Sequence, residues 1–164
     1  IISSNNNLVG VNTHLTNKIV LEALVEKKIA SLKKFDNIKS EVKFSDNTRF
    51  DFLISNKNKK CFLEVKNVTL VRKKNIAEFP DSITSRGSKH LMELANAKKK
   101  GYESFILYLI QRNDCKSFKI ASDIDKKYKD IFDEAIKNGI KVLCYDCKLT
   151  DEEIIINNQI HYEK

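Results

Sequence analysis

The chain has 164 residues, 41% of them apolar, and carries 30 lysines and arginines against 22 acids for a formal net charge of +8. That length supports one full hydrophobic core, and no apolar run approaches the roughly 18 residues of a membrane-spanning helix. Neither a helical membrane protein nor a secretory leader fits the visible sequence, so the expectation is a cytoplasmic protein with a polyanionic partner.

Taken in order, Ile1 to Asn7 is the one linker-like stretch. Asn17 to Leu32 reads as a helix whose apolar stripe is Ile19, Val20, Ala23, Leu24 and Ile29. Strands are predicted at Ile38 to Phe44, Arg49 to Ile54 and Cys61 to Leu70. Asp81 is the predicted N-cap of a helix through Leu91, Leu94 and Ala95, which Gly101 stops. Ser104 to Gln111 is a strongly apolar strand, Asp125 to Asn138 a helix closed by Gly139, Lys141 to Cys147 a strand, and Ile154 to Ile156 a short closing strand. This order predicts an α/β domain with a mixed sheet flanked by helices.

The chemistry concentrates in the hairpin from Arg49 to Lys66. With its turn centred on Lys57 and Asn58, antiparallel pairing sets Asp51 opposite Glu64, with Cβ atoms roughly 5 Å apart. Alternation puts Lys66 beside Glu64 and Arg49 beside Asp51. Facing carboxylates repel unless something positive lies between them, and Mg²⁺ or Mn²⁺ held by two acids keeps room for water and a phosphate oxygen. A neighbouring lysine could orient or deprotonate a water, or stabilise transition-state charge. The competing reading is an amphipathic hairpin with a charged solvent face; Asp51, a poor strand former inside a strong strand, tilts the balance toward function.

Lysine and asparagine are abundant while glycine and proline are scarce, so part of the lysine excess is a solvated surface. Only four basic residues are arginine: Arg49, Arg72, Arg86 and Arg112. Their rigid forks suit phosphate or carboxylate. Arg86, Lys89 and His90 lie at the start of a predicted helix, where an anion would offset their repulsion from the helix dipole, although His90 reads equally as a satisfied core histidine. Glu22 has apolar neighbours in the first helix and is either a costly carboxylate needing a partner or an exposed residue beside Lys18 and Glu26. Gln111, ending the apolar strand, either orients a water or phosphate or ties down a loop. The four cysteines, including Cys144 and Cys147, read as reduced structural thiols, because residues three apart on a strand face opposite ways.

Asp51 followed by Glu64-Val65-Lys66 resembles the core motif of the PD-(D/E)XK nucleases. More specific are Val9-Gly10-Val11-Asn12-Thr13 with Asn17, Thr48 to Leu53, Glu64 to Leu70, Phe79 to Leu91, and Gln111-Arg112-Asn113-Asp114. Together these resemble the sugar fermentation stimulation protein A family over nearly the whole chain. The resemblance implies a single domain over 1–164 with a restriction-endonuclease-like mixed sheet, and residues 1–16 leading in from an N-terminal OB-like barrel that is absent here. It implies a DNA-binding protein linked by family name to sugar (maltose) metabolism, with Mg²⁺ or Mn²⁺ held by Asp51 and Glu64 and supported by a first-helix acid, Glu22. Lys66 would assist the water or transition state, Gln111 would orient it, and Arg49, Arg86, Lys89, His90 and Arg112 would hold phosphates. The function expected is metal-dependent DNA cleavage; the alternative is a non-catalytic DNA-binding regulator that keeps the fold as a grip. A homodimer is compatible with both.

Overall fold

The computed structural model describes residues 1–4, 7–10, 12–150 and 152–164. Strands β1 (Ile2–Ser4) and β2 (Asn7–Val9) form a short antiparallel ribbon, and α1 (Thr16–Val25) buries Ile19, Val20, Ala23 and Leu24. The helix ends earlier than the apolar stripe suggests, because Lys27 adopts a left-handed backbone (φ 57°). Its ammonium then binds the Phe35 carbonyl and the Asp36 carboxylate. A 3₁₀ turn at Ala30–Leu32 follows, and Ile29 and Leu32 join the core from outside the α-helix.

The meander β3 (Asn37–Ser45), β4 (Thr48–Ser55) and β5 (Lys60–Val68) matches the predicted order. Its second turn is centred on Lys57 and Asn58 because the Asn56 side chain accepts the amide protons of Asn58 (3.0 Å) and Lys59 (2.9 Å). The third strand does not reach Leu70. Beyond Val68 the chain leaves the sheet and builds a hairpin, β6 (Leu70–Lys73) and β7 (Ile76–Phe79). Helix α2 (Ser85–Lys99) is capped by Thr84, whose hydroxyl accepts the Gly87 amide at 3.0 Å; Asp81, the predicted cap, lies exposed in the loop before it.

There follow β8 (Glu103–Ile110), β9 (Ser117–Ile120), α3 (Lys126–Lys137), β10 (Lys141–Leu149), β11 (Ile154–Gln159) and β12 (His161–Tyr162). The main sheet has the order β11-β10-β8-β5-β4-β3, with β8 parallel to both neighbours and the outer pairs antiparallel. A central parallel strand is buried on both faces, which is why Ser104 to Ile110 is a nearly unbroken apolar run. A second mixed sheet, β12-β9-β7-β6, is made of strands of two to four residues.

Each face of the main sheet carries its own core. Phe52, Ile54, Leu63, Val65 and Leu107 pack with α1; Phe50, Phe62, Ile106 and Tyr108 pack with Leu91 and Leu94 of α2 and Phe132 of α3. In a regular strand Phe50 and Phe52 would share a face. Here they lie in opposite cores, so β4 turns over at Asp51. Cys144 and Cys147 likewise face opposite cores, and burial raises both thiols to about 12. Among the described residues no helix is long and apolar enough to cross a membrane.

Candidate active site

The β4–β5 ladder runs from Ser55 opposite Lys60 to Phe52 opposite Leu63, and there it stops. Continued, its register would pair Asp51 with Glu64. Instead the Asp51 carboxylate accepts the Val65 amide proton at 2.7 Å and the Asn17 side-chain amide at 2.8 Å. A side chain thus replaces the backbone acceptor, β4 departs, and β5 continues alongside β8 as far as Val68. The sheet forks at its two acids.

Glu64 is 3% exposed and its two oxygens differ. Oε1 accepts from Lys66 Nζ (2.7 Å) and from His90 Nδ1 of α2. Oε2 is buried without a hydrogen-bond partner among the described residues. Burial alone would raise this acid, but the His90 hydrogen bond and the Lys66 charge outweigh it and hold Glu64 below the usual range. With Glu64 ionised, the contact requires the proton on His90 Nδ1. Asp51 goes the other way: burial first, then the Glu64 charge, lift it to about 6 against the Val65 amide, Asn17 and Lys66.

An unpartnered carboxylate oxygen beside an acid reluctant to ionise is a poor arrangement for a site left to itself and a good one for a hard divalent cation. The donor set is oxygen only and suits Mg²⁺ or Mn²⁺ rather than a thiolate-loving metal. Among the described residues no three Asp, Glu, His or Cys side chains are already gathered into a metal-holding group, so the remaining positions would go to waters, a phosphate or a side chain that turns in.

Four of the predicted phosphate contacts come together. Arg49, Arg86, Lys89 and His90 line a cleft of about 780 Å³ with Lys43, Asn47 and Asp46, and His90 joins it to the fork through Glu64. Arg49 is steadied by the Glu41 carbonyl (3.0 Å) and Lys89 by that of Asn47 (2.7 Å).

Three expectations are corrected. Glu22 is exposed, pairs loosely with Lys18 (4.0 Å) and lines a separate groove with Glu26 and Glu153. Five residues beyond Asn17, it points about 140° around the helix from the residue that holds Asp51. Arg112 is 9% exposed and spent on the fold: a two-pronged bridge to Asp114 (2.8 and 2.7 Å) and a bond to the Thr69 carbonyl hold the end of β8. Gln111 is wholly buried, donating to Thr16 (2.9 Å) and Asn67 (2.6 Å), and Gly10 packs so close that a Cβ there would overlap its side-chain oxygen. It orders Asn67 rather than facing solvent. Arg72, between Glu78 and Asp123, is also structural, leaving Arg49 and Arg86 as the two arginines without a carboxylate partner among the described residues. Sequence reading gave no role to Lys43 or Asn67; Asn17 was visible only as part of a family motif.

The fold is similar to that solved for "The structure of Pyrococcus Furiosus SfsA in complex with Ca2+", with a TM-score of 0.90 at 23% identity, covering 98% of this chain and 69% of that one. Residues 14–153 match the family model "Sugar fermentation stimulation protein RE domain". Relatives named sugar fermentation stimulation protein homolog include that of Pelagibacter ubique, 49% identical over 160 residues (98% of this chain, 69% of the relative), and that of Roseobacter denitrificans, 41% identical over 157 residues (95% and 67%). The chain belongs to the sugar fermentation stimulation protein family.

Proposed function

We propose that this domain binds DNA in the cleft between β4 and α2 and hydrolyses its phosphodiester bonds with Mg²⁺ or Mn²⁺ held by Asp51 and Glu64. The observation that carries the reading is Glu64: buried, fixed through one oxygen by Lys66 and His90, and presenting the other unpartnered at the fork beside Asp51. When bound, the ion supplies Lewis acidity toward phosphate and makes a water more acidic.

The chain's own residues do the rest. Lys66 keeps a positive charge beside Glu64, where charge develops on a phosphate under attack. Asn17 and the Val65 amide fix the Asp51 carboxylate so that it does not reorganise when the ion arrives. Lys43, Arg49, Arg86 and Lys89 track the backbone of the nucleic acid, and Arg86 sits in the first turn of α2, where a phosphate meets the helix N-terminus. That the structural relative was solved with Ca²⁺ supports a divalent ion. The reading carries a cytoplasmic location with it, and a second copy of the chain if both DNA strands are cut together.

The test is to incubate the purified protein with end-labelled single- and double-stranded DNA in Mg²⁺, Mn²⁺ or EDTA. Cleavage with either ion, abolished by EDTA, is expected. Retention of DNA without cleavage under any ion would leave a non-catalytic DNA-binding regulator in its place.

A further inference from the structure

Glu41 has an unusual backbone for a residue inside a strand. It lies in the middle of β3, yet its φ is +54°, a left-handed conformation that side-chain-bearing residues rarely adopt and that persists where the surroundings hold it. The β3–β4 register explains where this falls: Ser40 pairs with Phe52 and Val42 with Phe50, so Glu41 is the residue across from Asp51. Both strands turn over at that point. Ile38 packs on the α1 side and Val42 and Phe44 on the α2 side, mirroring Phe52 and Phe50 on β4.

The exposed Glu41 side chain lines a recess of about 380 Å³ with Asn17, Val65 and Asn67. Asn17 and Val65 are the two residues that bind the Asp51 carboxylate. The Glu41 carbonyl accepts from Arg49, while among the described residues its carboxylate has neither a hydrogen bond nor an ion pair. Independently, Glu64 Oε2 stands buried and unpartnered at the same fork.

We propose that Glu41 is the third acidic side chain of the site, turning into the recess to complete the oxygen set offered to a divalent cation by Asp51 and Glu64. The inference rests on the metal-dependent reading above. Directly opposed strand residues have Cα atoms about 5 Å apart, within the span of a glutamate side chain. Glu41 is exposed and free to change rotamer, whereas Asp51 and Glu64 are already fixed by hydrogen bonds. The acid that the first helix fails to supply through Glu22 comes from the neighbouring strand.

The test is Mn²⁺ titration by calorimetry, with melting temperatures recorded with and without Mn²⁺, for the wild type, Asp51→Asn, Glu41→Gln and Glu41→Gly. Glu41→Gln should weaken Mn²⁺ binding about tenfold or more. Glu41→Gly relieves the left-handed backbone, so it should melt a few degrees higher without metal and lose most of the Mn²⁺-induced rise. Wild-type affinity in both Glu41 variants, with Asp51→Asn defective, would overturn the role of Glu41 while leaving the metal site intact. No Mn²⁺ binding by the wild type would overturn both.

Discussion

Asp51 accepts the backbone proton of Val65, the residue directly after Glu64, and this one bond stands where β4 parts from β5. If the pair holds a cation, each member is needed for different reasons. Glu64→Gln should lose Mn²⁺ affinity because an amide binds hard cations poorly, and Asp51→Asn should lose it with the backbone bond to Val65 preserved. Calorimetry should show at least a tenfold loss in each; unchanged affinity in both would sink the metal site.

If Asp51 holds a cation, its raised pKa, about 6, would make metal binding pH-dependent. Below that value the ion must displace a proton, so Mn²⁺ affinity should climb about tenfold per unit between pH 4.5 and 6 and level off above. The stability effect has the opposite sign. A carboxylate whose folded pKa lies above its unfolded value stabilises the fold when protonated, and that contribution is lost as pH rises from about 4 to 6. Metal-free Asp51→Asn should therefore gain on the wild type at pH 7.5 by on the order of 2 kcal/mol compared with its standing at pH 4. Equal melting differences at the two pH values would show that Asp51 titrates normally.

Lys66→Ala separates cleavage from binding. A lysine acting on developing phosphate charge should cost roughly 100-fold or more in cleavage when removed. DNA affinity should change modestly, with the salt slope falling by about one. A variant that still cleaves within a few-fold of wild type would leave Lys66 as no more than the anchor of Glu64.

The two kinds of arginine make contrasting predictions. Arg86→Ala, in the cleft, should weaken DNA binding evenly across sequences and reduce the salt slope by about one without changing the melting temperature. Arg112→Ala leaves the part-buried Asp114 and the Thr69 carbonyl short of partners and should destabilise the fold by about 2 to 4 kcal/mol while the salt slope stays put. The reverse pattern would falsify the division between them.

Much of the main sheet was legible because long, strongly apolar strands declare themselves: β8 and β10 fell where the apolar runs lie, and the turn at Lys57-Asn58 set the hairpin register. The second sheet was invisible, since strands of two to four residues such as Leu70–Lys73 and His161–Tyr162 carry too few side chains to show a period. Of the candidate site, the closeness of Asp51, Glu64 and Lys66 was readable from hairpin parity, and the basic cluster around Arg86 from helix polarity. The turnover at Glu41 and Asp51 did not. Ile38, Val42 and Phe44 share one parity, as do Phe50, Phe52 and Ile54, so parity in the sequence conceals a strand that changes face in space. Arg112 was misassigned for a related reason: only the fold shows that an aspartate two residues away occupies its fork.

Asp125 caps α3 through one oxygen, accepting the Tyr128 amide at 2.9 Å, and with the other it takes the amide of Thr84, the cap of α2. One buried side chain therefore clamps the starts of two helices to each other. Arg86 and His90, which reach toward the cleft and Glu64, ride on a helix whose first turn is indexed against α3. The placement of the cleft's basic side chains and of the buried acid is thus set from behind the site, and loosening a hinge pin at Asp125 would unsettle both together while every residue lining the cleft stayed in the sequence.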